Sequence, residues 1–249
     1  MLPPLPPVGE VALFLDFDGT LAEFADHPAS VSVPEELIAT LAQLHQATRG
    51  ALAIVTGRDI REIDDFLAPL VLPVAGVHGL VRRAHDGQLY LTDVDEIALA
   101  TIAGRLDNFV DGQDGLIVER KSRSVALHYR RAPAAADACV SALTDALHDL
   151  DDFEVQVGKL VVEARAIGHD KGSAIATFLA EPPFANRRPV FAGDDVTDED
   201  GFRYLNECAA AQAITIKVGA GASEARYRVR SVEALRGWLQ ALNDSGTHS

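Results

Sequence analysis

Val11-Ala12-Leu13-Phe14-Leu15-Asp16-Phe17-Asp18-Gly19-Thr20-Leu21 decides how the rest of the chain is read. Five apolar residues that end on an acid describe a buried strand delivering its last side chain to a sheet edge. Two carboxylates two residues apart at such an edge are costly unless a cation neutralises them. The oxygen-rich pair suits Mg²⁺, and a carboxylate there can attack phosphorus. Gly19 lets the backbone approach a ligand, and the Thr20 hydroxyl can bond a phosphate oxygen. The spacing fails the calcium-loop pattern, which needs a third oxygen ligand before its glycine and a closing glutamate.

Outward from this stretch, the first third of the chain alternates strand and helix. Leu37, Ile38, Leu41 and Leu44 mark an amphipathic helix over 34–48, opened by Pro34. A second apolar strand over 51–55 ends in Thr56-Gly57-Arg58. A short helix carries Ile60, Ile63, Phe66 and Leu67, and a third strand over 71–77 runs into His78-Gly79. This order predicts a parallel sheet with helices on its faces. From about Val81 the pattern changes to a hairpin around Asp86-Gly87, then two successive helix-strand-strand units, the last strands lying over 153–157 and 160–165. The first pattern resumes at Asp170, which caps a helix to Leu179. It continues through a strand over 188–193 ended by Asp194-Asp195, a helix over 198–205, a strand over 213–218 and a helix over 232–242. The expectation is an α/β fold: a Rossmann-like doubly wound parallel sheet formed by 1–83 and 167–249, with an inserted α+β cap domain over 84–166.

Three apolar runs thus end in reactive groups: Asp16, Thr56 and Asp194-Asp195. In an open parallel sheet the carboxyl ends of the strands share the edge where ligands bind. Five of the seven residues 194–200 are acids, a density that favours a metal site over a solvated helix start. Lys171 follows Asp170 at a helix start, where the dipole disfavours a cation, so it gains weight as a phosphate ligand.

The bulk numbers narrow the function. The 249 residues are 48% hydrophobic and 24% charged, ordinary for a globular protein of one large domain or two modest ones. A formal charge of −15 argues against nucleic acid and makes local cations necessary for any anionic ligand; Mg²⁺, Lys171 and Arg58 meet that need. No apolar run reaches a membrane span, and the proline-rich start is not expected to be a signal peptide. Cys139 and Cys208 offer neither a metal spacing nor a disulfide framework, so a cytoplasmic protein is expected. The sequence carries no signal for assembly, and a monomer is the default expectation.

These residues resemble the haloacid dehalogenase (HAD) superfamily of phosphatases. Asp16-Phe17-Asp18-Gly19-Thr20 is similar to its first motif, Thr56 to its second, Lys171 to its third and Asp194-Asp195 to its fourth. More narrowly, Val55-Thr56-Gly57-Arg58, Ala75-Gly76-Val77-His78-Gly79, His128-Tyr129-Arg130 and the acidic run 193–200 resemble the trehalose-6-phosphate phosphatase family. Three departures stand out: Thr56 where the family usually has Ser, Leu80-Val81 where many members carry an acid, and Ala166 where Pro is usual. The resemblance implies Asp16 as nucleophile, Asp18 as general acid and base, and Thr56 and Lys171 holding the transferring phosphoryl group. It implies Mg²⁺ on Asp16, Asp18 and Asp194, with Asp195 or Asp198 in support. It also implies a cap that closes over the sugar, with Glu119, Lys121, Arg130 and Glu163 touching its hydroxyls. Thr20, Gly57, Arg58 and His78 complete the substrate-binding set. The expected ligand is a small-molecule sugar phosphate, trehalose 6-phosphate, with neither nucleic acid nor membrane as partner. A phosphatase or mutase of the same fold acting on another sugar phosphate is one alternative. A non-catalytic sugar-phosphate sensor is another, against which the intact Asp16, Asp18, Lys171 and Asp194 speak.

Overall fold

The computed structural model describes residues 2–23, 31–209 and 212–246. The chain divides into two compact units, one of residues 1–90 and 170–249 and the other of residues 91–169.

The first unit is built on β1 (Val11–Leu15), β2 (Leu52–Val55) and β3 (Val74–Gly76), continued by the hairpin β4 (Val81–Arg83) and β5 (Leu89–Leu91). The second unit supplies β6 (Ile117–Arg120), β7 (Val125–His128), β8 (Phe153–Gly158) and β9 (Val161–Ala166). The chain then returns to the first unit with β10 (Arg188–Gly193), β11 (Ile214–Val218) and β12 (Tyr227–Val229). The first sheet has the order β12-β11-β10-β1-β2-β3-β4-β5, parallel from β12 to β3 and antiparallel at β4. β1, β2 and β11 are buried along their whole length and β10 from Pro189 onward, as strands covered on both faces must be.

Helices α1 (Glu35–Ala47) and α2 (Ile60–Leu67) precede the second unit, which contributes α3 (Glu96–Val110) and α4 (Ala136–Ala146). The chain then forms α5 (Lys171–Leu179), α6 (Glu199–Cys208) and α7 (Val232–Gly246). α5 and α6 cover alternate residues of the strands: Ala12 and Phe14 of β1 and Ala53 and Val55 of β2 pack with Ile175, Phe178, Phe202 and Leu205. α1 and α7 lie together and are tied by the Thr40 hydroxyl donating to Gln240 Oε1 at 2.9 Å.

The second unit carries a four-stranded antiparallel sheet, order β6-β7-β9-β8. One face packs on α3 and α4: Val125, Leu127, Val162, Ala164 and Phe153 meet Leu99, Ile102, Leu106, Cys139 and Leu143. Strand alternation therefore turns Glu119, His128, Glu163 and Arg165 to the opposite face.

The structure departs from the sequence reading in four places. The hairpin expected to open the inserted layer instead extends the first sheet through β3, so the first unit runs to Tyr90. The third strand is three residues long: Pro73 brings no N–H to the ladder, and Val77 (φ 48°) leaves the extended region. β12 went unread because an Arg-containing run of three has no clear alternation. The helix expected over 133–150 holds its α form only over Ala136–Ala146, beginning as a 3-10 turn at Pro133.

Phe14, Phe178 and Phe184 form a fully buried aromatic trio, with Phe178 centroids 6.1 Å from Phe14 and 4.9 Å from Phe184. Phe178→Ala leaves a cavity under β1, and chemical denaturation is expected to show a loss of about 3–5 kcal/mol. A loss below about 1 kcal/mol would mean that α5 is not anchored through this trio.

Candidate active site

The site grows from the strand ends. The β1 register sets Leu15 beside Ile54 of β2 and Ala192 of β10, so Asp16, Thr56 and Asp194 emerge at one edge of the sheet. Backbone bonds hold the exit: Asp16 N–H donates to Ala192 O at 3.0 Å, and Thr56 N–H to Ala75 O at 2.9 Å. Asp16, Asp194 and Asp198 bring carboxylate oxygens within 4.8 Å of one another. Asp198 reaches this cluster because residue 193 is glycine: a Cβ there would lie 2.2 Å from Asp198 Cγ. Asp198 Oδ2 also accepts the Asp195 N–H at 2.9 Å, which closes the loop between β10 and α6. Asp195 is absent from the cluster; its Oδ1 accepts the Val196 N–H at 2.7 Å and shapes the same turn. Of the two acids expected to support a metal, Asp198 sits with Asp16 and Asp194.

Lys171 lies among these acids. Asp170 begins α5, its side chain accepting the Ser173 N–H at 2.7 Å, and so places Lys171 in the first turn. Its ammonium, 3% exposed, donates to Asp16 Oδ1 at 2.7 Å and to Asp198 Oδ1 at 2.6 Å. Burial alone would lower its pKa. The two carboxylates and the hydrogen bonds to them outweigh burial and hold the group above the ordinary lysine range, fully charged. Asp16 is pushed well above the ordinary carboxylate range by burial, then by Asp198, against the pull of Lys171. A second cation relieves that burden, and a set made only of carboxylate oxygens fits a hard divalent ion.

Asp18 is held differently. Arg58 grips it in a fork, Nε to Oδ2 at 2.5 Å and Nη2 to Oδ1 at 2.8 Å, while Nη1 reaches Glu62 at 2.9 Å. The guanidinium lies over Phe66 and Phe17, with centroids at 5.0 and 5.9 Å. Arg58, expected as a phosphate-side cation, is engaged with Asp18 and Glu62. Thr20 is fully buried at the turn after Asp18, and its hydroxyl has no hydrogen-bond partner among the described residues, an arrangement that suits an incoming oxygen. Thr56 Oγ1 accepts the Arg58 N–H at 3.2 Å. Val77, His78 and Gly79 are all left-handed, and their turn lays the buried His78 ring against Gly57, where a Cβ would fall 2.6 Å from Nε2.

In the second unit, Glu119 pairs with His128 at 2.6 Å, and Lys121 with Glu163 at 3.0 Å. Arg130 is half-buried just after β7. Sequence reasoning gave no role to Lys217, which is buried on β11 beside Gly193 and donates to the Asp194 carbonyl at 2.5 Å. A lysine inside the apolar run Ile214-Thr215-Ile216-Lys217-Val218 was the available signal, because a charge in a strand covered on both faces must find a partner.

The profile of the trehalose-phosphatase family matches residues 14–233. A trehalose-6-phosphate phosphatase of Escherichia coli (strain K12) is 38% identical over 231 residues, covering 93% of this chain and 86% of that protein. The crystal structure of a trehalose-6-phosphate phosphatase related protein is similar at a TM-score of 0.75 and 28% identity, covering 95% of this chain and 98% of that one. A phosphatase of the haloalkanoate (HAD) superfamily from Bacteroides thetaiotaomicron shares the fold, with a TM-score of 0.61 at 17% identity over 95% of each chain. With Asp16, Thr56, Lys171 and Asp194 meeting at one sheet edge and a family match across both units, the chain belongs to the trehalose-phosphatase family, on the HAD fold.

Proposed function

We infer that the protein hydrolyses trehalose 6-phosphate to trehalose and inorganic phosphate, with Mg²⁺ as its metal. The observation that carries this reading is the group of Asp16, Asp198 and Lys171, all buried, with the half-buried Asp194, at the strand edge of a trehalose-phosphatase family member. Asp16 and Asp194, with the Asp18 carbonyl and Asp198 in support, would hold Mg²⁺, which supplies positive charge against the phosphate dianion. The two cysteines are free thiols, which suits the reducing cytoplasm.

The residues themselves divide the work. Asp16 Oδ attacks phosphorus, forming an O–P bond as the bond from phosphorus to the sugar oxygen breaks. The leaving oxygen takes its proton from Asp18, which then removes one from the water that hydrolyses the aspartyl phosphate. The Arg58 fork fills both Asp18 oxygens as acceptors, so Asp18 has to leave the fork to carry and give up its proton. Lys171, Thr56 and Thr20 offer hydrogen bonds to the phosphoryl oxygens, the electrostatic support on which this reaction depends. Sugar contacts fall to Glu119, Lys121, Arg130 and Glu163 of the second unit, with Gly57 and His78 shaping the backbone beside Thr56.

Phosphate release from a panel of sugar phosphates with Mg²⁺ present is expected to favour trehalose 6-phosphate over glucose 6-phosphate. Equal turnover would place the specificity elsewhere, and no release from any substrate would point to a sensor. Asp16→Asn is expected to lower kcat by about 10³-fold or more while the protein stays folded. Appreciable residual turnover would remove Asp16 as nucleophile.

A pH dependence also follows. Asp16 resists ionisation in the metal-free cluster, yet a metal ligand must be ionised, so Mg²⁺ binding expels protons and strengthens as pH rises. In the metal-free protein the same raised value favours the fold with Asp16 protonated. That contribution is full below the ordinary aspartate range and is lost as pH climbs through the raised folded value. Titration calorimetry in mildly acidic buffers of different ionisation enthalpy should show net proton release on Mg²⁺ binding. Binding with no proton release contradicts the assignment.

A further inference from the structure

We propose that Ser124 and His128 are positioning residues for sugar recognition, fixing the carboxylates of Glu163 and Glu119 as rigid acceptors on one face of the second unit's sheet. The proposal rests on the reading of those glutamates as sugar contacts.

The sheet register brings the two acids into one row. Glu119 pairs with Ala126, and Ala126 with Glu163, so only a small side chain separates them. Each acid then has its own donor. His128 stands diagonal to Glu119 across β6 and β7, with Nε2 2.6 Å from Glu119 Oε2. An ionised carboxylate only accepts, so Nε2 carries the proton. That bond is the largest influence holding Glu119 below its ordinary pKa. Ser124 is fully buried, and its hydroxyl donates to Glu163 Oε1 at 2.5 Å while Lys121 donates to Oε2 at 3.0 Å. Glu119, about a third exposed, keeps lone pairs for further donors, and sugar hydroxyls are donors of that kind, while the buried Glu163 is held rigid beside it.

The bonds to the buried Glu163 also support the fold, whereas the partly exposed Glu119 has no need of His128 for solvation. The apolar core of the unit lies on the other face, against α3 and α4. Glutamate is rotamer-rich, and ordering two such side chains only when ligand arrives weakens binding by about tenfold each. Donors that order them beforehand remove that loss. A small hydroxyl beneath Glu163 and an imidazole beside Glu119 therefore act on affinity for the sugar and leave phosphoryl transfer alone.

The test compares trehalose 6-phosphate with a small aryl phosphate, which has no sugar to bind, in wild type, Ser124→Ala, His128→Ala and His128→Gln. Each alanine variant is expected to raise KM for trehalose 6-phosphate about tenfold. Its kcat and its turnover of the aryl phosphate should stay near wild type, and for the His128 variants the melting temperature as well. His128→Gln keeps an N–H donor and should recover most of the loss. Equal losses on both substrates, unchanged KM, or failure of glutamine to rescue would overturn the proposal. If Ser124→Ala does not fold, the partly exposed His128 decides the matter. A wild-type protein that turns over the aryl phosphate but not trehalose 6-phosphate sinks the functional reading and this proposal with it.

Discussion

A buried ammonium shared by two carboxylates is the constraint on which the first unit depends. Lys171 Nζ lies within 2.7 Å of both Asp16 and Asp198, and Asp194 stands close by. Ionising all three acids against one ammonium would leave about two negative charges uncompensated in a largely buried place, at a cost of several kcal/mol per ion. A divalent cation held by these acids would cancel the remainder. In a chain with a formal charge of −15 the attraction for an anionic phosphate has to be local, and Lys171 together with a bound cation would supply it against the overall field.

The backbone around the cluster is arranged to make the crowding possible. Gly193 leaves the space that Asp198 occupies, Asp195 turns the chain, and Lys217 holds the Asp194 carbonyl from the neighbouring strand. The left-handed run Val77-His78-Gly79 is compatible with the same logic, since strained backbone persists where the surroundings over-determine it. Loss of Gly193, Asp195 or Lys217 would act on the acids indirectly, through where their oxygens point.

Much of this was legible in the sequence because of one rule: an apolar run that stops at a polar group marks a strand end. The rule located Asp16, Thr56 and Asp194, and the Asp170 cap located Lys171 in the first turn of its helix. It gave less where partners are remote. Arg58 was read as a cation awaiting phosphate, yet its fork closes on Asp18, forty residues earlier, and no local pattern encodes that choice. Asp86-Gly87 specifies a hairpin but not the sheet that the hairpin joins, because turn chemistry is local and the pairing with β3 is not. Ser124 carries no signal: a serine after Lys121-Ser122-Arg123 reads as surface until the fold sets it against Glu163.

Divalent-metal binding tests the central claim most directly. Calorimetric titration with Mg²⁺, supported by paramagnetic resonance with Mn²⁺, should find a single ion per chain in the wild type. Asp194→Asn should weaken that binding by about tenfold or more, since one of the cluster's charged ligands is gone. Unchanged affinity in the variant, or no saturable binding to the wild type, would show that these acids are balanced in some other way.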